Sequence, residues 1–396
     1  MRCGISHTAV CPVVTNDGFF SLLSVIVDSD QKYMQLALRQ AGKGIGYTSP
    51  NPRVGAVVVK DGQVIARGYH RAYGASHAEI DCLTKLKAGQ AKGATLYVNL
   101  EPCCHHDKKT PPCVPAIIKA GITRLVYGII DPNPDVNGQG LKELRKTGIE
   151  VSGPVLEEQS KELNRAYIKH RSSGFPWVTL KTAQSLDGRI ATNIGDTRWI
   201  SSQESLKLAH QLRAENDAII VGIRTALADD PKLNVRFAKG PNPRRVILDG
   251  DLRISPNASM FKVNSDPVII ATKPYPPAEK AARLEAQGAE FIWLPPGEAG
   301  TLDIKLLLEE LSRRGLLYLL VEGGSNVAAT IVKRNLFDEM IVVQAPMIIG
   351  GDGIPSIASL GVTKLNEARR LHLVKRKTYG SDLVTWFRSS SNSGAD

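Results

Sequence analysis

The residues with evident chemistry in the N-terminal half are His77-Ala78-Glu79, then Pro102-Cys103, then Cys113. One imidazole and two thiolates suit zinc, and three protein ligands leave the fourth tetrahedral position for water, as in a catalytic zinc site. Water held by zinc loses a proton near neutral pH. Glu79, one step past the ligand's neighbour, is placed to take that proton and hand it to a leaving group, so the reaction class is zinc-assisted hydrolysis. Each part alone is weak, because His-x-Glu recurs on surface helices and a lone cysteine is usually a small buried hydrophobe. In this order, on a strand-to-helix framework, they read as metal ligands His77, Cys103 and Cys113 with Glu79 as the catalytic residue. Cys104 adjoins Cys103 and is an alternative ligand; His105 and His106 read as pocket-lining or solvent-facing, and Cys3, Cys11 and Cys82 as bland.

These residues need elements to hold them. From Asp30 the pattern predicts a first helix through Met34, Leu36, Ala37 and Leu38 ending at Gly42, then a hairpin of 54–59 and 64–67 around Asp61-Gly62. A helix over 78–86 carries Glu79, and the β-branched run 95–100 stops at Glu101-Pro102, delivering Cys103 to the start of a helix, where backbone dipoles favour thiolate. That helix has Pro115 in its first turn and ends at Gly121; a strand over 124–129 and a helix over 155–170 follow. Turn-formers at 171–176 mark a boundary, giving an extension 1–29, a first domain 30–174 and a second domain 175–396 with a mobile polar tail after about 388. In the second domain the strand-like runs are 178–182, 218–221, 245–248, 268–271, 316–321 and 339–343. Alternating strands and helices make both halves layered α/β domains. Two loops there stand out. Glu322-Gly323-Gly324-Ser325-Asn326 follows an apolar strand and opens a helix, which could hold a dinucleotide phosphate or serve as a tight connection, and Ser185-Leu186-Asp187-Gly188-Arg189 reads as a turn.

Composition bounds the rest. The 396 residues carry Lys+Arg 50 against Asp+Glu 39, a net +11, without the blocks of like charge that make a polybasic arm, so an anionic small molecule suits the balance. Hydrophobic residues are 42% and no stretch reaches the ~18 apolar residues of a membrane span, which argues against a membrane partner. The run 19–27 lacks the flanks of a signal peptide, and residues 1–29 read as a poorly ordered extension or the product of an upstream start codon.

The segments Asn51-Pro52-Arg53-Val54-Gly55, His77-Ala78-Glu79, Leu100-Glu101-Pro102-Cys103, Thr110-Pro111-Pro112-Cys113 and Asp131-Pro132-Asn133-Pro134 resemble the bifunctional deaminase-reductases of riboflavin biosynthesis, over about residues 30 to 385. The resemblance implies a cytidine-deaminase-like three-layer domain followed by a dihydrofolate-reductase-like α/β domain. It implies zinc-dependent deamination of a diaminohydroxypyrimidine bearing a phosphoribosylamino group, then NADPH-dependent reduction of the ribose to a ribityl chain. By position it assigns Ala183, Trp199, Thr225, Asp229, Gly324, Ser325, Asn326, Val327, Ala328, Ala329 and Thr330 to NADPH, and Asn51, Thr197, Arg213, Leu233, Arg236 and Glu322 to substrate. Arg213 and Arg236 can fork onto a phosphate, and Trp199 offers a flat face to a nicotinamide. Thr197 stands where the family commonly has Ser, and nine residues separate Cys103 from Cys113 where eight are usual; the extra residue is placed near 107–109. Partners implied are phosphorylated pyrimidines, without nucleic acid or membrane; a homo-oligomer is compatible, and NADPH and reduced thiolates imply the cytoplasm.

Two other readings compete. A nucleic-acid base deaminase would need an aromatic-rich basic surface, whereas aromatics are 6% and unclustered. A structural zinc module would show four protein ligands and no spare Glu beside the His.

Overall fold

The computed structural model describes residues 18–104, 111–197, 200–263, 266–297 and 301–390. The first half contains α1 (Gly18–Ala41), β1 (Gly55–Lys60), β2 (Gln63–Tyr69), α2 (Ala78–Leu83), β3 (Thr95–Leu100), α3 (Cys113–Lys119), β4 (Arg124–Ile129), α4 (Gln139–Lys146), β5 (Glu150–Ser152), α5 (Glu157–Leu163) and α6 (Arg165–Ser173). Its five strands lie in the order β2-β1-β3-β4-β5; β1 runs antiparallel to β2 and β3, and β3, β4 and β5 are parallel. Period-two alternation makes the layers. Ala56, Val58, Leu96, Val98 and Leu125 face one core with Cys82, Ile117 and Leu144 from α2, α3 and α4. Val57, Val59, Tyr97 and Val126 face the other, beneath Met34, Ala37 and Leu38 of α1. The three-layer expectation holds.

The second half contains β6 (Trp177–Gln184), β7 (Arg189–Ala191), α7 (Gln203–Glu215), β8 (Ala218–Gly222), α8 (Ile223–Asp229), β9 (Arg244–Leu248), β10 (Val268–Thr272), α9 (Ala278–Glu285), β11 (Ala289–Trp293), α10 (Ile304–Arg313), β12 (Tyr318–Val321), α11 (Ser325–Lys333), β13 (Glu339–Gln344), β14 (Ile354–Pro355), β15 (Leu371–Tyr379) and β16 (Asp382–Ser389). Among the described residues nine of these strands form one sheet, β11-β10-β9-β8-β12-β6-β13-β16-β15, parallel as far as β13 and closed by the antiparallel β16 and β15, while β7 and β14 pair antiparallel with each other. From β6 the chain steps out on one side to β8, returns to fill the gap with β12, then continues on the other side with β13. The strand order therefore switches direction around β8, β12 and β6, and at such a point the carboxyl ends of parallel strands leave a crevice for ligands.

Several expectations differ from the structure: the helix expected over 78–86 ends at Leu83, and α4 and β5 were not anticipated. Helix α1 begins at Gly18, earlier than the Asp30 from which the pattern predicted the first helix. The single helix expected over 155–170 is two, because the buried Asn164 between them turns its amide to residue 53: its Oδ1 accepts from Arg53 N at 2.7 Å and its Nδ2 donates to Arg53 O at 3.1 Å. The strand expected from 316 starts at Tyr318, since the N–H groups of Leu317 and Tyr318 both go to Asp217 Oδ2 at 2.8 Å. The hairpin of β15 and β16 was not anticipated; nearly all of β15 is exposed, so it lacks the apolar alternation that marks a strand.

Arg53 joins the two halves. Its guanidinium carbon lies 3.7 Å from the centre of the Tyr318 ring, and Nη2 donates to the Glu215 carbonyl, at the end of α7, at 3.3 Å. Arg53 is itself 5% exposed, so both contacts are made in a largely dry setting. Arg53→Ala should cost about 1–3 kcal/mol, the range for a desolvated cation–π contact plus a carbonyl left without its donor. Thermal unfolding checks this: a midpoint equal to the wild type's would show that the contact contributes nothing.

Candidate active sites

The first site forms where short helices begin. His77 caps the start of α2 in extended conformation, Cys113 is the first residue of α3, and Cys103 follows the end of β3. The N–H groups of Cys113 and Val114 donate to the Cys103 carbonyl at 3.0 and 3.3 Å, and Cys113 N also reaches Cys103 Sγ at 3.4 Å. This fixes the thiol against the helix start, where backbone dipoles favour thiolate. His77 Nδ1 lies 3.3 Å from Cys103 Sγ and 3.4 Å from Cys113 Sγ, and the three ligand atoms all fall within 4.8 Å of one another. Bonds of ordinary length around a tetrahedral zinc put nitrogen and sulfur ligands about 3.5 Å apart, so this donor set fits the ion.

Cys103, not Cys104, belongs to this cluster. Cys104 faces elsewhere: burial pushes its thiol up, and Glu143 and Glu101 add to that, which disfavours the thiolate a ligand must be. Cys82, its thiol raised to about 12 by burial, is core packing, as expected. His105, His106 and the insertion expected near 107–109 lie outside the described residues.

Glu79, in the first turn of α2, is 3% exposed. Burial pushes its carboxyl up and the Cys103 thiolate reinforces this, which suits a base that must later give its proton back. His70 is a neighbour that the sequence did not reveal. Its Nδ1–H donates to the Ser76 carbonyl at 3.0 Å, so Nε2 is an acceptor and takes the Asn51 amide at 3.0 Å. That fixes the Asn51 side chain with its nitrogen on His70, and leaves Oδ1 as the end suited to accept from an amino group. The only signal for His70 was a polar ring directly after an apolar strand.

The second site lies at the carboxyl ends of β8, β12 and β6. Glu322 follows β12 with its side chain only 9% exposed; Arg213 Nη2 and Nε donate to its Oε2 at 2.6 and 3.1 Å, and Lys181 Nζ is 3.7 Å from Oε1. Burial alone would raise this carboxyl, but Arg213 and Lys181 outweigh it and hold the group below its ordinary value, hence ionised. Lys181 lies in the strand-like run 178–182 and carried no chemical signal of its own in the sequence. Arg213 Nη1 also reaches the Asn234 carbonyl at 3.4 Å, tying α7 to the loop that carries Leu233 and Arg236. Leu233 is buried at φ 51°, and Thr197 Oγ1 donates to Asp229 Oδ1 at 3.3 Å.

Beside this cluster the glycines make a cradle. A Cβ on Gly323 would fall 2.7 Å from Val327 Cβ, one on Gly222 would fall 2.9 Å from Val327 Cγ2, and one on Gly324 would meet Thr225 Oγ1 at 3.1 Å. Only glycine lets the ends of β8 and β12 approach α11 this closely. The Ser325 hydroxyl is buried there without a partner among the described residues. Free N–H groups at the starts of α8 and α11, with this orphaned hydroxyl, fit the phosphates of a dinucleotide. Ala183 lies near the carboxyl end of β6, while Ala328 N already donates to the Gly324 carbonyl, Ala328 packs into the core and Thr330 Oγ1 is bonded to the Asn326 carbonyl. Of the segment 324–330, then, the first four residues present free polar groups. Trp199 lies outside the described residues.

A zinc-hydrolase domain followed by a parallel-sheet nucleotide-binding domain is therefore the class that the fold and the sites define. Comparison with known proteins gives the same two parts. Residues 27–129 match the family described as cytidine and deoxycytidylate deaminase zinc-binding region, and residues 176–385 match the RibD C-terminal domain. The chain is 42% identical to the riboflavin biosynthesis protein RibD of Aquifex aeolicus over 92% of this chain and 99% of that protein. Among solved structures, Acinetobacter baumannii RibD superposes with a TM-score of 0.83 at 34% identity, covering 92% of this chain and 100% of that one. The Thermotoga maritima diaminohydroxyphosphoribosylaminopyrimidine deaminase/5-amino-6-(5-phosphoribosylamino)uracil reductase gives 0.80 at 34% identity, covering 92% and 99%.

The chain belongs to the RibD family, the bifunctional deaminase-reductases of riboflavin biosynthesis. It is thus a zinc-dependent hydrolase and an NADPH-dependent oxidoreductase acting on phosphorylated small molecules. Among the described residues no helix is long and apolar enough to cross a membrane.

Elemental analysis of zinc tests the ligand set. One zinc per chain is expected in the wild type and in Cys104→Ser, with loss in Cys103→Ser; the reverse pattern would move the ligand by one residue.

Proposed function

We propose that the first half, residues 30–174, deaminates a diaminohydroxyphosphoribosylaminopyrimidine, and that the second, 175–396, reduces the ribose of 5-amino-6-(5-phosphoribosylamino)uracil with NADPH. The observation that carries the first part is a buried Glu79 beside the His77, Cys103 and Cys113 cluster. Zinc held there supplies Lewis acidity that makes a water nucleophilic. Glu79 takes the proton from that water and delivers it to the ring amine, which leaves as ammonia while the water's oxygen stays on the ring. Asn51, oriented by His70, receives a substrate amino group through Oδ1.

In the second half NADPH supplies the hydride. The proposed cradle is Ala183, Trp199, Thr225, Asp229 and the start of α11, with Arg213 and Arg236 facing the sugar phosphate and Thr197, Leu233 and Glu322 around the ribose. Glu322 fixes Arg213 and Lys181 in place, so that the cations are oriented before substrate arrives. The protein's contribution is positioning, with the reacting carbon held against the cofactor. The four described cysteines form no disulfide among the described residues, consistent with a reducing compartment, and we place the enzyme in the cytoplasm.

Glu79→Gln should lower deamination at least a hundredfold, within the range for loss of general acid–base catalysis, while zinc content and the reductase rate stay as in the wild type. Loss of zinc or of reduction in that variant would contradict the role. Arg236→Ala should raise KM for the reductase substrate about tenfold or more, and unchanged kinetics would remove Arg236 from the phosphate.

A further inference from the structure

His210 lies within α7, one helical turn before Arg213, and is wholly buried. Its Nδ1 is 3.0 Å from the backbone nitrogen of Arg236, so Nδ1 accepts and the ring proton sits on Nε2, which is buried without a hydrogen-bond partner among the described residues. The face of the ring is met edge to face by Phe237, with centroids 4.8 Å apart at 86°. The Arg236 guanidinium in turn lies 5.5 Å from the centre of the Phe237 ring. Among the described residues no carboxylate pairs with Arg236, in contrast to Arg213, whose Nε and Nη2 are both committed to Glu322. A cation without an acidic partner is oriented by its backbone and by what its side chain lies on, and His210 governs both here.

The ring must stay neutral to do this, because an imidazolium has no acceptor nitrogen. Burial first, then the charges of Arg213 and Arg236, push His210 down to about 4, so the acceptor persists through neutral pH. Glu322 and the Asn234 backbone pull the other way and are outweighed.

We propose that His210 is a positioning residue of the reductase half, holding the Arg236 main chain through Nδ1 and its side chain through Phe237, so that Arg236 stands ready for the substrate's phosphate. This rests on the reading that Arg236 meets that phosphate. Truncating His210 leaves a buried N–H without its acceptor and frees a long side chain, which together are expected to weaken phosphate binding about tenfold.

The test titrates ribose 5-phosphate into the zinc-loaded full-length protein and measures both half-reactions. His210→Leu should bind ribose 5-phosphate about tenfold more weakly and raise KM for the phosphorylated reductase substrate by a similar factor, with kcat within about twofold. His210→Asn, whose Oδ1 can stand where Nδ1 stood, should return affinity to within about threefold of the wild type. His210→Leu combined with Arg236→Ala should bind no more weakly than Arg236→Ala alone, since the one acts through the other. Wild-type affinity in His210→Leu, no recovery in His210→Asn, or additive losses in the double variant would each overturn the positioning role. Unaltered binding in Arg236→Ala would instead sink the phosphate reading beneath it, whatever the His210 variants do.

Discussion

A buried carboxylate cannot be left without partners, and in both halves of this chain a glutamate stands in the dry space just past the end of a parallel strand. Glu101 follows β3 and Glu322 follows β12. Glu101 is satisfied by backbone alone: Oε2 accepts from Asp131 N at 3.2 Å and Gly138 N at 2.8 Å, and Oε1 from Gly140 N at 3.0 Å and Leu141 N at 3.3 Å. Four charge-assisted bonds from the loop after β4 and the start of α4 make the turn carrying Cys103 rigid, and a thiolate that must meet two other ligands needs that rigidity. Glu322 is paired with side-chain cations instead: Arg213 bonds its Oε2, while Lys181 stands 3.7 Å from Oε1 as an ion pair without a hydrogen bond. Side-chain cations can share their charge with an incoming anion, whereas backbone amides committed to a carboxylate cannot. The same strand-end position thus supports a metal centre in one half and a binding site in the other.

Residues acting through local order were legible in the sequence. Strands β3 and β4 have the bounds expected of them, because β-branched runs closed by Glu101-Pro102 and opened after Gly121 leave little choice. The metal set His77, Cys103 and Cys113 was legible for the same reason: each ligand lies at an element boundary that punctuation residues mark. Residues acting through distant contacts were not. Asn164 breaks a helix by bonding to a residue 111 positions away, and nothing in the local pattern of 155–170 carries that information. His70 and His210 are both neutral rings whose roles depend on one nitrogen accepting from a specific neighbour, Asn51 in one case and Arg236 N in the other. A histidine's tautomer is set by tertiary partners, so a sequence can place the ring on an element but cannot give its hydrogen-bond direction.

The two halves meet at the opposite end of the second sheet from its glycine cradle. Asp217, ahead of β8, accepts from the N–H groups of Leu317 and Tyr318 and is bonded by Ser49 of the first half. Burial pushes its carboxyl up, while those bonds and Arg53 pull it down. Pro50 packs against Gly315, where a Cβ would come within 3.2 Å of the proline ring. The segment from Ser49 to Arg53, which includes Asn51, therefore grips the amino ends of β8 and β12, while Gly222 and Glu322 stand at their carboxyl ends. Strand β12 is four residues long, so the contact of Arg53 with Tyr318 and the carboxylate of Glu322 sit at the two ends of a single short, fully buried rod. Strand β12 is hydrogen-bonded on both edges, to β8 and to β6. Strand β12 serves as a brace that lets each half fix where the other's residues stand.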